Sequence, residues 1–424
     1  MITVLRNSWP LLLGVMLLML GNGLQSSLLG VRGETAGFSA VEMSFIMSAY
    51  FVGFMISSRV TPIMIRRVGH VRVFAALASF ISAVIILYPA VPHPLAWILG
   101  RVWIGFCFCG VYVTAESWLN NAATNETRGQ SLSLYMIVQM VGIIAAQGLL
   151  NIPDPSGFLL FVIPSVLVSV SFAPILLAVS PTPAFDATKP MKLIDLFRKS
   201  PLGCVGMLLS GSVFAAQFGM SAVFGAQAGL NVQQISIFVA AFYVGALVFQ
   251  FPIGWLSDRS DRRVLIGAVS GIGAMAAFIA TFFSTEFYLI VLAAFFMGGM
   301  GNPLYALLIA HTNDFLEPED MASASGGLLF INGLGAVAGP VVTGVAMERF
   351  GPQAFFLLFA IPLFMLAAYA IWRMTRRPAI SSDDTGVFAP MSPTGTVVAM
   401  EFAQEYATEA AEIAAEEEAQ NTGT

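Results

Sequence analysis

The sequence predicts an all-α polytopic membrane protein in which twelve transmembrane helices form two pseudo-symmetric six-helix bundles. Composition is the first observation: the mean hydropathy is +0.82 and only 10% of the residues are charged, against roughly a quarter in soluble domains. The second is a series of twelve apolar runs of the ~20 residues that a helix needs to cross a bilayer. The third is internal repetition, in which segments of the first half recur in the second.

The twelve apolar runs account for most of the chain. Arg6 precedes the first run, as in a signal peptide, but no small-x-small cleavage site follows it. We therefore interpret this run as a transmembrane helix. In order, the runs cover residues 9–30, 42–64, 73–91, 95–119, 131–150, 157–179, 201–227, 234–256, 264–283, 287–311, 323–347 and 354–373.

Two segments recur at a nearly constant offset. Residues 48–53 (SAYFVG) match residues 240–245 (AAFYVG), which lie 192 positions later. Residues 158–164 (FLLFVIP) match residues 356–362 (FLLFAIP), 198 positions later, and the six extra residues fall in a connection near residues 347–351. Matches on corresponding runs, read in the same sense, predict two parallel repeats of six helices.

Arginine and lysine predict the orientation of the helices. If the runs alternate in direction, all three lysines and twelve of the arginines fall on one side, and only Arg32 and Arg349 fall in loops on the other. Because basic residues are enriched in cytoplasmic loops, we predict a multi-pass protein of the cell (inner) membrane with both termini in the cytoplasm.

A charged loop between the eighth and ninth runs carries the clearest motif. It reads FPIGWLSDRSDRR from residue 251 to residue 263. This stretch resembles the G-x-x-x-D-R-x-G-R-R signature of the major facilitator superfamily, which joins two membrane helices on the cytoplasmic side. Asp261 stands where the family usually has glycine. The matching residues are Gly254, Asp258, Arg259, Arg262 and Arg263.

The resemblance implies the major facilitator fold and a secondary active transporter that moves a small solute by alternating access. Residues 114–119 (TAESWL) are also similar to helix 4 of a poorly characterised bacterial subfamily of these transporters. No G-x-x-x-x-G-K-[ST] loop is present, so ATP is not expected to drive transport, and we predict coupling to protons. Two alternatives stay open: a drug or metabolite efflux antiporter rather than an uptake symporter, and a non-transporting membrane sensor.

Composition divides the chain into four parts. Residues 1–179 and 201–377 form the two bundles, and residues 180–200 form a cytoplasmic linker whose basic, amphipathic end is expected to lie on the membrane surface. Residues 378–424 hold nine of the 24 acidic residues and none of the 19 basic ones, and we expect this cytoplasmic tail to be disordered. Its stretch 397–419, rich in alanine and glutamate, could form a solvated or transient helix; the alternative is a regulatory partner site. The net charge of −5 reflects the tail, so it does not indicate a nucleic-acid partner.

Polar residues inside the runs are candidates for a central cavity, since polar groups are costly in lipid. Asn22 and Gln25 are three residues apart and share one face of the first helix. Arg101 and Glu116, both in the fourth run, are 15 residues apart, or ~22 Å along a helix. They cannot pair directly but can face one cavity. We interpret both as candidates for proton coupling; the alternatives are an Arg101 that reaches the outer interface and an interfacial Glu116 paired with Arg128 or Arg59.

Further polar residues fall on helices that line the cavity in the family that this chain resembles. Any one of them can instead form a helix–helix hydrogen bond. These substrate or cavity candidates are Tyr112, Gln139, Gln217, Tyr243, Gln250, Asn302, Tyr305 and Asn332.

The resemblance also implies that the signature loop is a conformational latch. Asp258 is expected to approach the cytoplasmic start of the fifth helix, near residues 130–133, where a carboxylate meets the positive end of the helix dipole. In the first-half copy, Pro62 replaces the first glycine and Arg66 replaces the aspartate. We therefore predict a latch on one side only.

The sequence gives no sign of a metal site, a cofactor or an enzyme. Cys107 and Cys109 would point about 200° apart on a helix, and Cys204 lies in a different run. No pair of catalytic groups falls at one depth. The expected partners are a small-molecule substrate, the lipid bilayer and protons, and we expect a monomer.

Overall fold

All the elements that the computed structural model describes are α-helices; the described residues are 2–124, 127–152, 154, 157–177, 191–376 and 385–422. Eleven of these helices are long and apolar enough to cross a membrane, and a twelfth apolar helix, Leu159–Leu177, is shorter. This result confirms the all-α polytopic fold class. Residues 180–190 of the predicted linker and Arg377 lie outside the described residues.

The first six helices form the amino-terminal bundle, and a short surface helix follows it. Leu196 is the buried residue of that short helix, α7. The helices are α1 (Ile2–Thr35), α2 (Ala40–Val68), α3 (His70–Ala90), α4 (Pro94–Ala122), α5 (Arg128–Leu149), α6 (Leu159–Leu177) and α7 (Leu193–Lys199).

The carboxyl-terminal bundle repeats the arrangement, and one of its spans is divided. Pro303 cannot donate a backbone hydrogen bond, and one helix ends before it while the next begins with it. The helices are α8 (Pro201–Gln227), α9 (Val232–Ser257), α10 (Arg262–Phe282), α11 (Phe287–Gly301), α12 (Pro303–Asn313), α13 (Pro318–Phe350) and α14 (Ala354–Met374), followed by α15 (Val397–Thr422) in the tail.

The two halves begin equivalent helices in the same way. α2 starts with a capping box in which the Ser39 hydroxyl accepts from the Glu42 N–H and the Glu42 carboxylate accepts from the Ser39 N–H. α9 starts with the same reciprocal pair, made by Asn231 and Gln234. Each box satisfies two backbone donors that the first turn leaves unpaired. The duplication inferred from sequence therefore extends to the helix termini.

Glycines bring the central helices of each half into backbone contact. A Cβ atom on Gly53 would lie 1.8 Å from the Val102 carbonyl oxygen, so α2 and α4 touch through their main chains. In the other half, a Cβ on Gly245 would lie 1.9 Å from the Phe295 carbonyl oxygen, where α9 meets α11. Small residues permit this close approach between membrane helices.

The two bundles meet directly at one end of the molecule. We call the end that carries loop 258–261 the signature face and the opposite end the distal face. Near the distal face, the Ser26 hydroxyl donates to the Phe218 carbonyl at 3.2 Å, and the Asn151 amide donates to the Ser236 hydroxyl at 2.9 Å. The bundles are therefore hydrogen-bonded to each other at this end.

At the signature face, the carboxyl-terminal segment lies between the bundles. Buried side chains in residues 388–404 include Phe388, Met391, Met400 and Phe402. This differs from the disordered tail that we expected from composition. The reason is that the segment contacts groups in both bundles, so it buries apolar surface that its own sequence could not bury alone.

Candidate functional site

Arg101 is completely buried in α4. Its guanidinium donates to the Gln25 side-chain oxygen at 3.3 Å, lies 3.5 Å from the Met47 sulfur, and stacks 4.8 Å from the centre of the Tyr50 ring. Its Nε has no hydrogen-bond partner, and no ion pair of the described residues includes Arg101. The alternative in which this arginine reaches the interface is therefore wrong.

A chain of hydrogen bonds leads from Arg101 along the first bundle. Gln25 donates to the Asn22 side-chain oxygen at 3.1 Å, and Asn22 donates to the Tyr112 hydroxyl at 2.9 Å. All four residues are buried. The structure thus brings together four of the sequence-predicted residues, from α1 and α4, in one polar network.

The second bundle holds a smaller polar cluster. Asn302, at the break between α11 and α12, donates to the Gln217 side-chain oxygen at 3.1 Å. Asn332 instead donates to the Met207 carbonyl at 3.2 Å, which is a helix–helix bond. Tyr243 and Gln250 are buried on α9, and the Gln250 amide nitrogen has no partner among the described residues.

Glu116 is buried nearer the signature face. Its carboxylate accepts from the Tyr135 hydroxyl at 3.2 Å, from the Thr396 N–H at 3.3 Å and from the Thr396 hydroxyl. It takes no part in the ion pairs of the described residues.

The predicted alternative for Glu116, an interfacial pairing with Arg128 or Arg59, is wrong. Arg128 pairs with Glu405 and Glu409 of the tail, and Arg59 stacks 5.0 Å from the Phe330 ring. Both cations therefore have other neighbours.

Gln139 and Tyr305 also face the tail. The Thr394 hydroxyl donates to the Gln139 side-chain oxygen at 3.4 Å, and the Tyr305 hydroxyl donates to the Gly395 carbonyl at 3.1 Å. These two residues come from different bundles, so one short tail segment joins them.

A cavity of about 330 Å³ lies between the bundles on the same side. Tyr50, which stacks on Arg101, links this cavity to the buried polar network. Of the predicted substrate residues only Asn332 lines it. Sequence reasoning missed the lining residues of α2, α13 and the tail, among them Ser58, Arg59, Arg66, Phe330, Thr394, Thr396 and Glu401.

The signature loop is built around Arg262. Its guanidinium is buried, pairs with Asp314, and donates to the Ser257 hydroxyl at 3.0 Å. The Arg263 guanidinium pairs with the Asp261 carboxylate at 2.7 Å. Partial burial favours a higher pKa for Asp261, but the hydrogen bonds from Arg263 outweigh burial and keep this pKa below its usual range. Arg259 stacks 4.6 Å from the Trp255 ring.

Asp258 does not make the contact that the family resemblance implied. Its carboxylate accepts from the Phe388 N–H at 2.7 Å and lies 3.6 Å from Arg262, whereas we expected the start of the fifth helix. Partial burial raises the pKa of Asp258, and the Phe388 N–H and Arg262 oppose this rise. The physical reason for the difference is that the tail occupies the gap between the loop and the other bundle.

Two six-helix bundles, closed against each other at one end and enclosing a polar interior, define a membrane transport protein of the secondary type. The chain belongs to the Major Facilitator Superfamily, whose family model matches residues 11–230 and 202–406.

Curated relatives carry the same family assignment. An uncharacterised MFS-type transporter of Salmonella arizonae, YcaD, is 24% identical over 355 residues, which cover 82% of this chain and 91% of the relative. An uncharacterised MFS-type transporter of Bacillus subtilis, YfkF, is 24% identical over 350 residues, covering 80% and 88%. This places the chain in a poorly characterised part of the family, as the sequence predicted.

Solved structures share the fold. The crystal structure of the nucleoside transporter NupG superposes with a TM-score of 0.69 at 17% identity, covering 87% of this chain and 99% of that one. A bacterial homologue of the human lysosomal transporter Spinster, in an inward-facing and unoccupied conformation, superposes with a TM-score of 0.63 at 16% identity, covering 95% and 98%.

Proposed function

We propose that this protein is a proton-coupled secondary active transporter that moves a small neutral or amphipathic solute by alternating access. The observation that carries the proposal is the buried network Arg101–Gln25–Asn22–Tyr112 of the first bundle, together with the buried Gln217–Asn302 cluster of the second. Buried polar groups are costly in a membrane, and a solute site between the repeats uses such groups.

The path of the solute runs between these two clusters. Phe218 follows Gln217 in α8, and its ring lies 5.5 Å from the ring of Tyr50, beside Arg101. Aromatic faces and amide groups at this depth favour a solute that has both apolar surface and hydrogen-bonding groups. Arg101 is the cation of these two clusters, and Arg59 and Arg66 line the cavity on the signature side.

Glu116 is the proton carrier in this proposal. An isolated carboxylate is costly to bury, and Glu116 is buried without a cationic partner. A change in what surrounds it therefore changes whether it holds a proton. Arg101 lies deeper in the same helix and supplies a fixed positive charge next to the solute path.

We further propose that the signature face lies in the cytoplasm, that the membrane is the bacterial inner membrane, and that one chain is the functional unit. The excess of arginine and lysine at the signature face supports this orientation. A monomer suffices because both bundles, and the path between them, belong to one chain.

The test uses purified protein in liposomes that contain a pH-sensitive dye. A panel of neutral and amphipathic metabolites is added from outside, and a transported solute is expected to move protons with it. Glu116→Gln should abolish the proton signal, whereas Glu34→Gln, at an exposed residue of α1, should keep it. Solute transport that is unaffected by a proton ionophore would contradict the coupling.

A further inference from the structure

The strongest feature that transport does not explain is the position of residues 385–409. This segment lies in the opening between the bundles at the signature face, and many of its side chains are buried. Pro393, Thr394, Thr396, Val397, Val398 and Glu401 form one wall of the 330 Å³ cavity.

The signature loop holds the first part of the segment. The Asp258 carboxylate accepts from the Phe388 N–H at 2.7 Å, and Arg262 donates to the Gly386 carbonyl. The Phe388 ring fills the space over Gly254, where a Cβ atom would lie 2.6 Å from the ring. Three residues of the family signature thus contact two positions of the tail, Gly386 and Phe388.

Groups at the centre of the opening hold the second part. Glu116 accepts from both the hydroxyl and the N–H of Thr396. Gln139 accepts from the Thr394 hydroxyl, and Tyr305 donates to the carbonyl of the residue between them. The three side chains alternate as acceptor, donor and acceptor along Thr394, Gly395 and Thr396, at a turn in which the Gly395 N–H donates to the Ser392 carbonyl at 2.8 Å. They therefore bind both main-chain and side-chain groups of the segment.

The third part is the start of α15. Arg128 pairs with Glu405 and Glu409, and its guanidinium lies 5.6 Å from the centre of the Phe402 ring. The Gln404 amide donates to the Ser325 hydroxyl at 2.9 Å. The acidic character of the tail therefore matches a cation at the start of α5.

We propose that the opening at the signature face is a peptide-binding site whose ligand is the chain's own segment 385–409, and that the bound segment blocks the solute path until it leaves. The segment contacts the first bundle through Glu116, Gln139 and Arg128, and the second through Asp258 and Tyr305. Alternating access requires these ends of the bundles to approach each other, and the bound segment holds them apart.

The bound segment also controls access to Glu116. Both donors of Thr396 point to the Glu116 carboxylate, and Thr396 rather than Glu116 lines the cavity, so the segment must leave before Glu116 can exchange a proton through the cavity. Only this consequence rests on the proposed transport function; the peptide site itself does not.

Hydrogen–deuterium exchange of the full chain in lipid nanodiscs tests the site directly. Residues 385–396 precede α15, so in a free tail their amides would exchange at the rate of an unfolded peptide. We expect strong protection instead. Thr396→Val removes the hydroxyl that donates to Glu116 and should speed exchange in this stretch by roughly tenfold or more.

Thr408→Val is the matched control, because the Thr408 hydroxyl donates only to the Gln404 carbonyl within α15. It should leave exchange of residues 385–396 unchanged. Phe388→Ala tests the same site at the signature loop and should also speed exchange. Exchange of the native segment at the unfolded rate, or equal exchange in both threonine variants, would overturn the proposal.

A second measurement asks whether the segment blocks the opening. Ser58 lines the cavity, and a Ser58→Cys reporter should react slowly with a small thiol reagent in the otherwise native chain. Thr396→Val should raise the rate roughly tenfold, and Thr408→Val should not; equal rates would contradict the block. These experiments need no solute, so their failure refutes the peptide site alone, and the liposome assay separately tests transport.

Discussion

Gly53 and Gly245 stand 192 residues apart and make the same contact. Each lies on the second helix of its half and approaches the main chain of the fourth span, with the carbonyl oxygen of Val102 or Phe295 in the space that a Cβ would need. The reciprocal glycines, Gly105 and Gly298, face Tyr50 and Phe242 in the same manner. The internal repeat therefore preserves the contact between the second and fourth spans of each half, in addition to the number of spans.

This relationship predicts that Gly53→Ala and Gly245→Ala each destabilise the protein, because the new methyl group would force the paired helices apart. We expect a loss of about 1–3 kcal/mol, the range for overpacking, seen as a lower thermal unfolding midpoint in detergent.

Gly271→Ala is the control, since a Cβ at Gly271 in α10 would meet no atom within 4 Å. That variant should be neutral or gain up to ~1 kcal/mol from helix propensity. Equal midpoints for all three variants would contradict the account of the helix crossings.

The fold could be predicted from the sequence because the features that determine it are local. Apolar runs mark the spans, and the repeated SAYFVG and AAFYVG segments contain the crossing glycines themselves. The docking of the tail between the bundles could not be predicted in this way. Its serine, threonine, proline and acidic residues suit solvent, and its buried position depends on Glu116 and Arg262, which lie far away in the sequence.

Arg262 and Asp314 form a buried ion pair, and their side chains are 2% and 4% exposed. Arg262→Met should destabilise the protein by about 3–5 kcal/mol, because it leaves Asp314 as an uncompensated buried charge. Chemical unfolding monitored by circular dichroism measures this loss.

The double variant Arg262→Met with Asp314→Leu should lose less than the sum of the two single variants, since the pair acts as a unit. Arg259→Met is the comparison at the same loop. It removes a stacking contact with Trp255, worth ~0.5–1 kcal/mol at an exposed site. Additive losses in the double variant would show that the pair does not act as a unit.

The signature loop and its first-half copy should behave differently. Asp258→Asn weakens the hydrogen bond from the Phe388 N–H, because a neutral oxygen is a poorer acceptor than a carboxylate. Arg66→Ala removes an exposed arginine that takes part in no ion pair of the described residues. Spin labels on the two bundles at the signature face should report a several-fold population shift for the first variant and little for the second. Equal shifts would rule out a one-sided latch.

The buried network was partly accessible from sequence. Asn22, Gln25, Arg101 and Tyr112 stand out as polar residues in apolar runs, and the structure joins them. Arg59 carried the same signal, as a charge within the second run, and could have been selected as a cavity residue. No sequence signal distinguishes Asn332, which makes a helix–helix bond, from Asn302, which bonds to another polar side chain.

Arg101→Lys tests the network at its charged end. Lysine keeps the charge but loses the planar group that stacks on Tyr50 and reaches Gln25, and the two side chains are not interchangeable at such sites. An unsatisfied buried oxygen costs about 1–3 kcal/mol, so the unfolding midpoint should fall. Arg349→Lys, at an exposed position of α13, should leave it unchanged. If Arg101→Lys unfolds at the native midpoint and still supports full solute-driven proton movement, the charge alone suffices and the guanidinium geometry contributes nothing. A fall in both the unfolding midpoint and the proton movement would tie the geometry of this side chain to the solute path.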